Sequence, residues 1–339
     1  MRIFLPLFLA IIIMCGVMAA HRVAAEMLLP PPISGKDVKL YTTGFKEAAS
    51  GRWSAAHRIA ARARDPLGAK VLRWMDYARA HNLASFEEIS TFIASNPDWP
   101  SQSGLEASAE TAMLGVDDDS RVRDWFRWRD PVSRDGRLRF ADVLIGDNDM
   151  ERAANLIRHT WVNDNFSVAD LRIIYRRYKN FLRQEDHDAR LDRLVWNNRQ
   201  HDARRMFRYV DKRQQAVAEA RMALHTFAGG VDSAIARVPE DLLTSAGLMY
   251  ERLRWRRRKG RDDDAMEILS NPPPNMVRPD LWWRERGIIA RRILVKGYVT
   301  EAYRVARQNG LKSGANFASA EWLAGWIALR FLHEDKEAL

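Results

Sequence analysis

Four glycines set the outline of what this chain can become. Gly51 is followed by Arg-Trp-Ser-Ala-Ala-His-Arg-Ile-Ala60, and Gly146 by Asp-Asn-Asp-Met-Glu-Arg-Ala-Ala154. Gly260 is followed by Arg-Asp-Asp-Asp-Ala-Met-Glu-Ile-Leu269, and Gly297 by Tyr-Val-Thr-Glu-Ala-Tyr-Arg-Val-Ala306. The pattern predicts a helix that ends at the glycine, where a left-handed residue closes the last turn. A second helix then starts within a few residues, with acidic or hydroxyl residues in its first turn. Small alanines let the paired helices approach. The interval from Gly260 to Gly297 and the one from Glu251-Arg252 to Glu285-Arg286 are both roughly 35 residues, in the range of helix-turn-helix repeats stacked as a solenoid. The mature length divided by that period gives roughly 8–9 helix pairs.

The rest of the chain agrees with this. β-Branched runs with period-two alternation and two-residue hairpin turns are absent. The longest irregular stretches are Pro30-Pro-Pro32, Asn96-Pro-Asp-Trp-Pro100, Asp130-Pro131 to Gly136 and Asn271 to Pro279, each short enough to join two helices. The expected fold is therefore all-α, a superhelical solenoid of stacked helix pairs.

The N-terminus predicts export. Met1-Arg2 precedes an apolar run from Ile3 to Ala20, and Val23-Ala-Ala25 offers a cleavage site before Glu26. Residues 1–25 are read as a signal peptide and 26–339 as one helical domain, with no stable membrane anchor after cleavage. An uncleaved anchor is the alternative, because the run is near the lower limit for spanning. The sole cysteine, Cys15, lies inside the apolar run, so a mature chain beginning at Glu26 has no disulfide and no thiolate metal site.

One helix carries a contradiction. In Leu281 to Gly297, Trp282, Ile289 and Ile293 fall on one helical line and Trp283, Ala290 and Leu294 on the next. Arg286 and Gly287 interrupt that apolar face. The expected roles are packing ones: Gly287 admits a neighbouring helix, and Arg286 covers Trp282 or pairs with Glu285 or Glu251. Trp322 and Trp326 are read in the same way, as helix-packing residues.

The net charge of +10, mostly arginine, favours an anionic partner. The densest basic stretch is Arg254, Trp255, Arg256, Arg257, Arg258, Lys259 and, after Gly260, Arg261. In a cytosolic protein this run would suggest nucleic acid. Export weakens that reading and points to peptidoglycan, whose peptide stems carry carboxylates and whose sugars stack on aromatics. The plainer alternative is a helix C-terminus whose basic residues suit the dipole. Asp117-Asp-Asp119 and Asp262-Asp-Asp264 are expected to open helices. Asp186-His187-Asp188 and His201-Asp202 are expected on solvated helix surface. The histidines form no metal-binding pattern, and no glycine-rich nucleotide loop occurs, so neither a metal nor a cofactor is expected.

Gly247-Leu-Met-Tyr-Glu-Arg-Leu-Arg-Trp-Arg-Arg-Arg-Lys-Gly260, Leu281-Trp-Trp-Arg-Glu-Arg286, Glu301-Ala-Tyr-Arg-Val-Ala306 and Ala320-Glu-Trp-Leu-Ala-Gly-Trp-Ile-Ala-Leu-Arg-Phe-Leu332 resemble the helical portion of soluble lytic murein transglycosylases. Asn96-Pro-Asp-Trp-Pro100 and Asp202-Ala-Arg-Arg-Met206 add to the likeness, which covers most of residues 40–332 and is strongest after 190. The resemblance implies a ring-shaped, U-type superhelix in the periplasm. In that family a lysozyme-like domain at the C-terminal end cleaves peptidoglycan between N-acetylmuramic acid and N-acetylglucosamine and leaves a 1,6-anhydro ring. The family's catalytic acid is a Glu followed by Ser, with a Gly-Leu-Met-Gln motif farther on. This chain has no Glu-Ser dipeptide. Gly247-Leu-Met-Tyr250 lacks the Gln and lies within the ring region.

The expectation is thus an incomplete ring without the lysozyme-like domain, holding glycan strands or docking a separately encoded catalytic domain, and inactive alone. The rivals are a periplasmic α-solenoid scaffold for protein partners and a basic helical nucleic-acid binder. The second of these requires that the chain is not exported.

Overall fold

The computed structural model describes residues 33–338. The expected signal peptide, residues 1–25, lies outside them, as does Cys15. The protein is all-α: among the described residues every regular element is helical and no strand occurs. No helix among them is long and apolar enough to cross a membrane. The chain forms two compact units, one ending at Val143 and the other beginning at Leu144.

The first unit contains α1 (Gly35–Ala49), α2 (Trp53–Ala60), α3 (Leu67–Tyr77), α4 (Phe86–Ser95), α5 (Gln102–Ala112), α6 (Asp119–Phe126) and most of α7 (Arg134–Gly146). Tyr41, Ala48, Ala56, Ala60 and Leu72 pack α1–α3 together. Helix starts follow local chemistry. Ser85 accepts a hydrogen bond from the Glu88 amide while Glu88 reaches back to the Ser85 amide, a reciprocal cap. Asp118 caps α6, so Asp117-Asp-Asp119 does open a helix.

The second unit contains α8 (Met150–Asn163), α9 (Val168–Tyr178), α10 (Gln184–Trp196), α11 (Gln200–Met206), α12 (Lys212–Thr226) and α13 (Val231–Ala236). It continues with α14 (Ala246–Arg258), α15 (Asp262–Ser270), α16 (Pro279–Val295), α17 (Val299–Arg307), α18 (Gly314–Ile327) and the short α19 (Asp335–Ala338). One core cluster joins α14 to α18 through Leu253, Ala265, Leu269, Trp282, Ile289, Ile293, Val305, Leu323 and Ile327.

Among the described residues, five helix-to-helix corners share one backbone shape. Each has a left-handed residue: Gly51, Asn148, Asn198, Gly260 or Gly297. The next residue, respectively Arg52, Asp149, Arg199, Arg261 or Tyr298, has φ between −89° and −83° and ψ between 62° and 69°, and directly caps the second helix. Its amide donates back to the helix just ended: Arg52 to Glu47, Asp149 to Leu144, Arg199 to Leu194, Arg261 to Arg256 and Tyr298 to Ile293, all at 2.8–3.0 Å. The left-handed residue donates to the next carbonyl along. That pair of bonds is the Schellman closure. Four residues after each cap stands an alanine, Ala56, Ala153, Ala203, Ala265 or Ala302, and each is fully buried. At each corner a methyl group fills the place where the second helix turns back against the first.

The structure corrects one corner. Gly146 was expected to supply the left-handed residue, but it is the last residue of α7, and Asn148 has φ 63° instead. Asparagine tolerates this region better than other non-glycine residues.

Candidate functional site

The basic run lies at the end of α14 and in the following corner, and most of it faces its own protein. Arg257 Nε donates to Glu285 on α16, a carboxylate buried almost completely. Arg254 Nη1 lies 3.3 Å from Glu251 Oε2, and His225 Nδ1 lies 2.9 Å from Glu251 Oε1. Arg256 Nη1 donates to the Asp264 carbonyl at 2.5 Å and to Glu267 at 3.2 Å. Arg261 pairs with Asp264. Arg258 and Lys259 lie over the Phe227 ring at 4.4 and 5.8 Å, and Arg261 lies 5.8 Å from the Trp255 centroid. Most of the candidate glycan-contacting cations therefore have partners within the protein. Arg254, Arg256 and Arg257 link α14 to α12, α15 and α16, whereas Arg258 and Lys259 carry no carboxylate partner among the described residues.

The α16 contradiction resolves differently from expectation. Trp282 and Trp283 are buried, and Tyr250 meets Trp282 edge-on at 5.8 Å. Arg286 is 0% exposed but pairs with neither Glu285 nor Glu251. Its Nη1 donates to the Val305 carbonyl at 3.3 Å, and its Nη2 approaches Met276 Sδ at 3.8 Å. Val305 lies in the last turn of α17, so the helix's negative end faces the cation. Burial pulls this guanidinium down to about 10. Gly287 is buried, yet a Cβ there would meet Arg291 Nη1 and the Trp283 ring of its own helix. The glycine makes room for Arg291, which donates to the Gly287 carbonyl at 2.8 Å, and not for a neighbouring helix.

Trp322 and Trp326 also depart from the reading as buried packing residues. They are 63% and 37% exposed and stack with centroids 5.9 Å apart and planes 5° apart. Phe331 meets Trp326 edge-on at 5.2 Å, and Leu329 is exposed beside them in sequence. The buried face of α18 is Ala320, Leu323, Ala324 and Ile327, which leaves the tryptophans on another side.

His187 is corrected from solvated surface to buried. It lies among Trp161, Tyr175 and Tyr209, with ring centroids 5.4–6.0 Å away. Desolvation holds its pKa below the usual imidazole value. Arg190, also buried, lies 4.3 Å from the Phe166 ring and donates to the carbonyls of Trp161 and Asp164 at the end of α8.

A general acid for glycoside chemistry needs a raised pKa inside an open cleft. In the first unit Glu110 is held above the usual carboxylate range by burial. However, its two oxygens accept the Val132 and Ser133 amides at 3.0 and 2.7 Å at the start of α7. A Cβ on Gly136 would overlap the carboxyl, so Glu110 is packed as a helix cap. A cavity of about 450 Å³ in the same unit is lined by Trp53, His57, Asp76 and Arg79. There His57 Nε2 and Arg79 Nε occupy separate Asp76 oxygens at 2.7 and 2.6 Å, which leaves that carboxylate poorly placed as a base. Among the described residues no group of three or more His, Cys, Asp or Glu is placed to hold a metal ion.

A second cavity, of about 320 Å³, was not anticipated from the sequence. It lies in the second unit and is lined by Asp188, Asp192, Trp196, Gln214, Arg221 and Ser245. The signal was a spacing of four: Asp188, Asp192 and Trp196 share one face of α10. No protein-family model and no curated protein matches this chain.

Proposed function

We propose that this protein is a helical-repeat binding module of the periplasm. It corresponds to the non-catalytic ring portion of a soluble lytic transglycosylase and holds peptidoglycan glycan strands. The observation that carries the reading is the five-fold recurrence of one closed corner with a buried alanine after its cap. Repeated pairs of that kind bury a continuous core by stacking on one another, which supports a superhelical solenoid. Such solenoids present extended surfaces to long ligands. The resemblance in Gly247–Gly260 and Ala320–Leu332 supplies the ligand class, and the N-terminal segment supplies the compartment.

Sedimentation with purified sacculi tests the reading. The mature protein is expected to sediment with them, to release no anhydro-muropeptides and to be retained less as salt rises, because surface charges are screened within about 10 Å at 0.1 M. Release of anhydro-muropeptides by the isolated chain would refute the binding-only role. A periplasmic protein scaffold is a second reading, favoured by the exposed Trp322–Trp326–Phe331 group. It predicts no retention on sacculi and a co-purifying protein that is lost with Trp322→Ala and Trp326→Ala. Tight binding to nucleic acid by a cytosolic, uncleaved chain would overturn both.

A further inference from the structure

The cavity between α10, α12 and the start of α14 contains polar groups that the fold leaves unanswered. Arg221 on α12 is only 4% exposed. Its guanidinium lies 5.0 Å from the Trp196 ring centroid, and its Nη1 donates to Asp192 Oδ1. The other two nitrogens, Nε and Nη2, are buried and meet no acceptor, and neither does the buried Ser245 Oγ. A buried guanidinium N–H without an acceptor costs at least as much as a lost hydrogen bond, so such groups are seldom left open without a reason.

The position is built rather than incidental. A Cβ at Gly247 would overlap the guanidinium, so Arg221 reaches this place because residue 247 is glycine. Ser245 is the N-cap residue of α14, but its side chain makes no capping bond and the first turn contains no acid. The first-turn amides there are therefore uncapped by either route, at the positive end of a 13-residue helix.

The opposite wall has the opposite character. Asp188 and Asp192 stand one turn apart on α10 and line the same space. Asp192 remains 49% exposed although it pairs with Arg221. Desolvation holds Asp188 above the usual carboxylate range, as it does for an acid that lacks a nearby cation. A simple anion would satisfy the donors but be repelled by these carboxylates. A simple cation would have the reverse difficulty.

We propose that this cavity binds an amino-acid zwitterion, with its carboxylate on Arg221, Ser245 and the first amides of α14 and its ammonium on Asp188 and Asp192. The volume suits a small ligand. The inference uses no part of the cell-wall reading and stands or falls separately from it.

Titration of the full chain with glycine, alanine, acetate, methylamine and inorganic phosphate at matched ionic strength tests it. The readout is the indole N–H resonance of Trp196, assigned by its loss in Trp196→Phe. The amino acids are expected to shift that resonance saturably in the millimolar range or below. Acetate and methylamine, each offering half of the ligand, are expected to bind at least about tenfold more weakly. Ser245→Ala and Asp188→Asn should each weaken amino-acid binding about tenfold while circular dichroism stays unchanged. Ser245 caps nothing, and asparagine can still accept the Gln184 side-chain bond that Asp188 receives. Absence of a saturable shift overturns the proposal. So does phosphate binding as tight as that of glycine, or a loss confined to one of the two variants.

Discussion

Gly260→Ala, set against Gly146→Ala, tests the corner geometry at its source. Gly260 has φ 73°, and a Cβ there would meet nothing within 4 Å, so crowding plays no part. The left-handed conformation costs an ordinary L-residue about 1–2 kcal/mol. Replacing glycine also removes about 0.4–1 kcal/mol of unfolded-chain entropy, which acts in the other direction. The net expectation for Gly260→Ala is a loss of about 1 kcal/mol. Gly146 sits in open space at the end of α7, with φ outside the left-handed region. There alanine should gain about 0.5–1 kcal/mol through helix propensity. The two substitutions are chemically identical and should differ in sign, separated by about 2 kcal/mol. Urea unfolding monitored by far-UV circular dichroism, compared at unchanged slope, measures both. Gly260→Asn should fall between them, because asparagine already occupies the equivalent place at 148 and 198. Equal effects from Gly260→Ala and Gly146→Ala would refute the shared corner.

Other expectations follow from particular contacts. Ala302→Leu should cost about 1–3 kcal/mol by overpacking the α16–α17 contact, whereas Gly287→Ala should cost less, about 1 kcal/mol, since the nearest atom is the mobile end of Arg291 and the Trp283 ring edge lies at 3.3 Å, only slightly inside ordinary contact; thermal melts distinguish the two. Arg257→Ala should cost about 3–5 kcal/mol, because it leaves Glu285 buried and unpaired, and Arg257→Met with Glu285→Gln should recover much of that loss in the same unfolding assay. Replacing Arg256, Arg257 and Arg258 together to test glycan binding would therefore confound binding with stability. Arg258→Ala with Lys259→Ala is the cleaner test of the basic run on sacculi. The depressed pKa of His187 means that the unfolded chain binds the proton more readily, so stability should fall as pH drops below about 6.5. His187→Phe should flatten that branch of the stability–pH curve.

Helix content and three left-handed glycines were legible because both are local. Glycine before a capped, alanine-bearing segment leaves the backbone few alternatives. Asn148 and Asn198 were missed because asparagine signals a left-handed residue more weakly, although both precede the same run with alanine five residues on. His187 read as surface because two aspartates flank it. Its true face is defined by Arg190, Leu191 and Leu194, at helical spacing, all of them buried. Arg286 looked in need of a carboxylate, whereas its partner is a main-chain carbonyl, which side-chain identity cannot signal. Which cations of the basic run are engaged was not legible because most of their partners lie in other helices: Glu285 is far from Arg257 in sequence. Trp322 and Trp326 share a helix face, but a periodic face does not say whether another helix covers it. The cavity depends on Arg221 together with a glycine, a serine and two acids, drawn from three helices, a convergence that only the tertiary arrangement creates.

The shared corner has a consequence for how the chain reaches its native state. Each Schellman closure and its capping residue draw only on bonds a few residues apart, so a hairpin of two helices can form before any distant segment arrives. Contacts of that range close fast, and chains rich in them fold quickly for their size. A polypeptide delivered end-first, whether from a ribosome or across a membrane, could secure its hairpins one after another and limit the time that apolar faces stay uncovered. A lesion in one corner would then delay the hairpin that contains it and leave earlier ones formed.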